Sequence, residues 1–362
     1  MKVLQILPEL SEGGVERGVV DLANYLVKHD IQSVVMSNGG SLVEILEKDG
    51  SKHVKFNVCS KNVFSAPSRV KKLRKILWEL NPDIIHVRSR VPAWLIYLAN
   101  KHLNFKVIST VHGLNSPNFY SKIMVKFDKI ICVSNAVKEY ILRHFNADNS
   151  KICVIDRGID LNKFNPANID YEWQDEFKHK FNLQRDDFII ASIGRITQLK
   201  DYETLIYATN LLKNDIKNLK VLIVGGARSD KKEYLANLQN LVKKLNLQNH
   251  IIFTDSQSKI VEVYHLANII VSASKKPESF GRSVAEALAL NTPVVASNHG
   301  GVKDIIKEYQ NGLFFEVGDF KDLASKVMAA KDFKFDGYNY IKERFSLKKM
   351  CEKTLKVYKE MV

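Results

Sequence analysis

Cysteine is scarce: Cys59, Cys132, Cys153 and Cys351 are the four in the chain, scattered and without a C-x-x-C pair. Such spacing offers no disulfide framework, and three of the four fall in or beside apolar strand-like runs, as expected in a reducing compartment. No apolar run approaches the roughly 20 residues a membrane-spanning helix needs. The opening MKVLQILPELSEGG has too short an apolar stretch for a signal peptide, so the expected location is the cytoplasm. There is no 20–50-residue repeat and no low-complexity tract, which excludes solenoids and disordered linkers. A G-x-G-x-x-G at a strand-to-helix turn is also missing, which argues against a dinucleotide-dependent dehydrogenase.

Acidic charge is in short supply as well. The formal net charge is +14 and the pI about 9.4. Residues 1–160 hold 23 Lys and Arg against 15 Asp and Glu, and residues 161–362 hold 31 against 25. A nucleic-acid module would concentrate its excess, and no RNP, KH or zinc-finger pattern is present. Nucleic acid is therefore not an expected partner. Anionic lipid or a phosphorylated substrate remains compatible with the charge.

What is present is an alternation. With 362 residues, two domains are expected. In the first half, β-branched runs at 2–7, 33–37, 53–58, 83–87, 106–110, 129–133 and 151–155 are separated by amphipathic segments such as 14–30. A second series follows at 188–193, 220–226, 250–254, 268–274, 292–297 and 312–317. Continuous apolar strands alternating with helices predict parallel sheets covered on both faces. The expected fold class is α/β, with two doubly wound, Rossmann-like domains facing a ligand cleft. The expected boundaries are 1–160 for the N-terminal domain, a linker over 161–187 and 188–340 for the C-terminal domain. A C-terminal helix over 341–362 would pack back on the first domain.

Four places set polar groups at a strand end or helix start. Gly13-Gly14 precedes a helix, where glycine permits close backbone approach and leaves helical N–H groups for an anion; two glycines alone read first as a plain tight turn. His112-Gly113 follows a strand, a place for a hydrogen-bonding or a merely structural histidine. In GRITQLKD, Arg195 and Lys200 flank a strand-to-helix turn and could converge on one phosphate, or lie in solvent. In PESFGRSVAEAL, a helix starting near Arg282 would present the amides of Gly281, Arg282 and Ser283 to a diphosphate, beside Phe280. Glu278 would then meet hydroxyls of the attached group. Glu286, inside an apolar run, would need hydroxyls such as those of a ribose to satisfy it. A surface glutamate plus a capping glutamate is the alternative.

PESFGRSVAEALALNTPVVAS-NHGG resembles the E-x7-E signature of glycosyltransferase family 4, the group 1 glycosyl transferases of GT-B fold. The resemblance extends through Gly13-Gly14, His112-Gly113, VSNAVKEYI, VIDRGID, GRITQLKD and NGLFFEVGD. It implies that Arg195 and Lys200 bind the donor diphosphate, that Glu278 holds the donor sugar and that Glu286 holds the ribose. Gly14 would approach the phosphates, and His112 would contact the transferred sugar. The resemblance implies neither cofactor nor metal, and no Asp-x-Asp occurs in the chain. Three positions depart from the pattern: Arg282 where a hydrophobic residue is common, Arg157 for Asn, and Asp201 for Gly.

The segment HVRSRVPAW is similar to a subset acting on bacterial envelope glycans, including lipopolysaccharide-core mannosyltransferases. The implied activity is retaining hexosyl transfer from a nucleotide sugar, GDP-mannose or a UDP-sugar, to a glycan or glycolipid. A nucleotide-sugar epimerase and a non-catalytic sugar-nucleotide-binding subunit are the alternatives. RVKKLRKILWEL (69–80) places Val70, Leu73, Ile76, Leu77 and Leu80 along one helical stripe and Arg69, Lys71, Lys72, Arg74 and Lys75 on other faces. That is either a covering helix with solvated cations or one whose cations also rest on an anionic membrane.

Overall fold

The computed structural model describes residues 1–362 except Glu12. The described residues divide into two compact units, Met1–Gly158 with Leu347–Val362, and Ile159–Ser346. The first holds a parallel seven-stranded sheet: β1 (Lys2–Ile6), β2 (Gln32–Ser37), β3 (Lys52–Lys55), β4 (Ile84–Val87), β5 (Lys106–Val111), β6 (Lys129–Cys132) and β7 (Ile152–Val154). Its order is β3-β2-β1-β4-β5-β6-β7. The second holds six strands: β8 (Phe188–Ile193), β9 (Leu219–Val224), β10 (Ile251–Phe253), β11 (Ile269–Ser272), β12 (Val294–Ser297) and β13 (Gly312–Phe315). Their order is β10-β9-β8-β11-β12-β13.

Each order reverses once, between β1 and β4 and between β8 and β11. In doubly wound sheets the crevice at that reversal, outside the strand C-terminal ends, is where ligands sit. Strand alternation builds two cores per sheet. Leu4 and Ile6 face one side with Val34, Met36, Ile85 and Val87. Val3 faces the other, with Leu22 and Leu26 of the helix Gly14–Val27. In the second unit Ala191, Leu222 and Ile270 share one core, while Ile190, Val221 and Val271 share the other.

Residues 161–187 are not a linker. Phe164, Ile169, Phe177 and Leu183 are buried in the second unit's core. The helix Tyr171–Lys180 is capped by Asp170, whose carboxylate accepts from the Trp173 N–H at 3.0 Å. Its apolar content is a short aromatic line: Trp173 stacks on Phe177, which packs on Phe181. Charged residues on the other faces give the segment its polar look.

The second boundary also moves. Ile341 and Phe345 are core residues of the second unit. The first unit's last helix is Leu347–Lys359, and its Leu355 and Tyr358 join Val3, Leu22, Leu26 and Ile108 in one cluster. Among the described residues no helix is long and apolar enough to cross a membrane.

Candidate active site

In the second unit the predicted groups gather around the β8/β11 reversal. β8 runs into Gly194 and then Arg195, which is exposed. The Lys200 side chain folds back over Gly194, where a Cβ would stand 3.0 Å from its Cε. Its Nζ reaches Glu278 Oε1 at 2.5 Å. Glu278 lies in the loop after β11 and also accepts from Ser274 Oγ at 2.7 Å. Burial opposes ionisation of Glu278, but the Lys200 charge and the bonds from Lys200 and Ser274 outweigh it, so its carboxyl is held below its ordinary value.

Asp201, where the family pattern has glycine, adopts a left-handed φ of 48°. Asp tolerates that region better than most residues, which accounts for the exchange. Its buried carboxylate accepts from Thr204 Oγ1 at 2.7 Å and pairs with Lys275 at 3.0 Å.

The helix of the E-x7-E stretch is Arg282–Ala289, preceded by Gly281 with φ of 98°. A side chain at Gly281 would meet Val302 at 2.5 Å, and Cβ atoms at Gly300 and Gly301 would collide with the backbone of Glu278 and Phe280. The NHGG turn is therefore glycine-rich because it lies directly beneath the PESFG loop. The Gly301 N–H donates to the Glu278 carbonyl at 2.7 Å, and His299 Nε2 lies 2.7 Å from the Ser274 carbonyl.

Two expectations change here. Glu286 does not await a ribose to satisfy it, because Tyr264 Oη donates to one oxygen at 2.9 Å and Arg282 Nε to the other at 2.8 Å. A carboxylate offers about four acceptor positions, so hydroxyls can still join. The Arg282 guanidinium pairs with Glu286 through Nε, with the side chain 47% exposed, and its backbone N–H remains for an anion. The Phe280 ring is 3% exposed and packs on Phe345, so only its backbone is left for a ligand. Arg195, Lys200, Glu278 and the Gly281–Ser283 turn otherwise share one strand-end region of this unit. Ser274, His299 and Tyr264, which hold these groups, carry no periodic or spacing signal.

In the first unit, Gly13 is the extended residue before the helix Gly14–Val27. His112 follows β5 and lines a pocket of about 220 Å3 with Pro8, Arg88, Arg90, Thr110 and Asn115. Arg157 Nη2 donates to His112 Nδ1 at 3.0 Å. A guanidinium cannot accept, so the neutral ring carries its proton on Nε2. Burial first, then the Arg157 and Arg88 charges, push His112 well below the usual histidine value. The Nε2 atom is buried without a hydrogen-bond partner among the described residues. Deeper lies His86, whose ring nitrogens each meet a hydroxyl at 2.6 Å, from Tyr358 and Thr110.

The Glycosyltransferase Family 4 pattern matches residues 12–163 and the Glycosyl transferases group 1 pattern residues 174–343. A crystal structure of a glycosyltransferase from Rickettsia africae ESF-5 is 34% identical, with a TM-score of 0.90 over 99% of this chain and 98% of that one. Anabaena Alr3699/HepE in complex with UDP shares the fold, with a TM-score of 0.83 at 18% identity over 99% of this chain and 100% of that one. A D-inositol 3-phosphate glycosyltransferase of Mycolicibacterium smegmatis is 30% identical over 212 residues, 57% of this chain and 46% of that protein. The chain spans about half the length of the curated relatives it matches. With two parallel-sheet units, both family patterns in order and a near full-length relative at 34% identity, the chain belongs to glycosyltransferase family 4, the group 1 glycosyl transferases, and has the GT-B fold.

Proposed function

We propose that this protein is a retaining glycosyltransferase. It moves a hexosyl group from a nucleoside-diphosphate sugar, GDP-mannose or a UDP-sugar, to a cell-envelope glycan or glycolipid such as a lipopolysaccharide core. The observation that carries the reading is the Lys200–Glu278 pair beside the Gly281–Ser283 helix start. A diphosphate meeting Lys200 brings the sugar attached to it within reach of Glu278. A protein of the same fold holds UDP.

In the transfer, the bond from the anomeric carbon to the terminal phosphate oxygen breaks. The acceptor oxygen replaces it, and the acceptor proton leaves with the nucleoside diphosphate. Negative charge grows on the leaving phosphate, so preorganised donors there contribute most to catalysis. Arg195, Lys200 and the N–H groups of Gly281, Arg282 and Ser283 supply them, and Gly13 and Gly14 let backbone approach the phosphates. Glu278 accepts from donor-sugar hydroxyls and Glu286 from the ribose. His112, neutral and protonated on Nε2, donates to the transferred sugar.

The protein works at the inner face of the membrane in this reading. On the helix Ala66–Leu80, Leu73 and Leu77 are fully buried, while Lys71, Lys72 and Lys75 are exposed beside Trp78, itself 73% exposed. Arg69 is not among the outward cations: it is buried and donates to Ser65 Oγ and the Asn62 carbonyl. Three lysines beside an exposed tryptophan suit an anionic lipid surface.

Thermal unfolding with UDP-, GDP- and ADP-sugars tests the donor class. A ligand at 100-fold its Kd stabilises by about 2.7 kcal/mol. Stabilisation by one nucleotide series, followed by sugar transfer to an extracted glycolipid, is expected. Absence of stabilisation by all three would overturn the reading.

A further inference from the structure

We propose that the first unit's pocket at the C-terminal ends of β1, β4 and β5 is an anion subsite that takes the phosphate of a phosphorylated sugar acceptor. The starting observation is Arg88, which follows β4, is 8% exposed and has its Nε buried without a hydrogen-bond partner among the described residues. No described carboxylate forms an ion pair with it; its close neighbour is His86, 3.3 Å from Nη1. A buried guanidinium without a counter-ion is costly, and a bound anion supplies one.

The surroundings repeat the same sign. Arg90 is a second cation on the wall, held by its bond to Ser121 Oγ at 3.1 Å and by the Tyr120 ring 5.3 Å away. Between the two arginines, Ser89 precedes the helix Arg90–Asn100, makes no side-chain capping bond, and no acidic residue occupies the first turn. In that first turn the N–H groups of Arg90 and Val91 remain to favour an anion, since Pro92 has none and the Ala93 N–H is bonded to the Ser89 carbonyl at 3.0 Å. Gly18 faces Arg88, and even a Cβ there would stop 4.0 Å from Nη2, so the guanidinium sits under the first helix unobstructed.

The rest of the pocket suits a sugar. Asn115 and Thr110 line it with polar groups, and His112, whose Nε2–H is assigned above to the transferred sugar, stands at the same pocket. Glu16 also lines the pocket, and its carboxylate is folded back to Gly13. It can accept from a hydroxyl there, and it orients the ligand with hydroxyls toward Glu16 and phosphate toward Arg88 and Arg90. The volume of about 220 Å3 is on the scale of one sugar phosphate. The word acceptor rests on the glycosyl-transfer reading, whereas the anion site does not.

Binding of glucose, glucose 6-phosphate and inorganic phosphate is measured calorimetrically at constant ionic strength, without turnover, on the full chain. The wild type is expected to bind glucose 6-phosphate at least tenfold more tightly than glucose, with phosphate competing. Arg88→Gln and Arg90→Gln should each erase about a tenfold preference while UDP binding is unchanged. If Arg88→Gln fails to fold, Arg90→Gln decides. Equal binding of the two sugars, or an unchanged preference in Arg90→Gln, overturns the site. Displacement of glucose 6-phosphate by UDP would assign the anion to the donor diphosphate and overturn the acceptor assignment. Loss of transfer activity with the preference intact would instead count against the catalytic reading alone.

Discussion

Lys200 Nζ stands 2.5 Å from Glu278 Oε1, with the two side chains 24% and 22% exposed. The two residues are 78 positions apart and belong to the loops after β8 and β11. That ion pair joins the cation expected at the leaving phosphate to the carboxylate expected at the donor sugar.

Replacing Lys200 by Ala is predicted to lower kcat by roughly two to three orders of magnitude, the size of losing one preorganised electrostatic group. It should also remove a pH-dependent contribution to stability. Because Glu278 titrates below its ordinary value, the pair stabilises the fold above the usual glutamate range and fades as pH falls through the depressed value. The difference in unfolding midpoint between wild type and Lys200→Ala should therefore be present at pH 7 and shrink below about pH 4. Activity within a few-fold of wild type would sink the catalytic assignment.

The two signature glutamates should separate by ligand. Glu278→Gln is expected to change which donor sugars are accepted and to leave free nucleoside diphosphate binding within a few-fold. Glu286→Gln should weaken the free nucleotide by about tenfold, since it loses charge-assisted acceptors for the ribose and for Arg282. Calorimetry with free nucleotide reads both. The opposite ranking would mean that the two ends of the donor have been exchanged.

Arg157 sets the His112 tautomer, and that should be visible without turnover. Nitrogen-15 shifts of the ring are expected to show a neutral, Nε2-protonated imidazole at pH 6 in the wild type. Arg157→Met should mix the tautomers, raise the pKa toward its ordinary value near 6.5 and cut kcat about tenfold. The pH sign follows from linkage. The unfolded chain takes up a proton below about pH 6.5 where the folded His112 does not, so wild-type stability falls with pH in that window. In Arg157→Met this slope should lessen. His86, lowered by burial and then by Arg88, adds a second contribution of the same sign. An unchanged ring spectrum would show that Arg157 does not control the tautomer.

Contact with an anionic membrane predicts a salt-sensitive association. Lys71→Gln/Lys72→Gln/Lys75→Gln removes three outward cations, each worth about 1 kcal/mol near such a surface, or roughly two orders of magnitude together. Arg74 is left in place because its Nε donates to the Ala99 carbonyl. Co-sedimentation with anionic and neutral vesicles at low and high salt measures it. Equal binding to both vesicle types would leave only a helix covering the sheet.

The sequence by itself determined the alternation of strands and helices, because strands covered on both faces must be continuous apolar runs. It also made the E-x7-E stretch legible, since a glycine before a helix start and two carboxylates eight positions apart form a local pattern. Only the tertiary structure decided which distant groups meet. That Lys200 pairs with Glu278, Glu286 with Tyr264, and His86 with Tyr358 of the last helix depends on strand order. Strand order brings together residues that no local period relates. The same holds for residues 161–187, whose few aromatics become core only because a sheet face is there to receive them. Arg88 gave no sign in the sequence of being buried, because a cation's solvation is settled by what folds over it and not by its place in the chain.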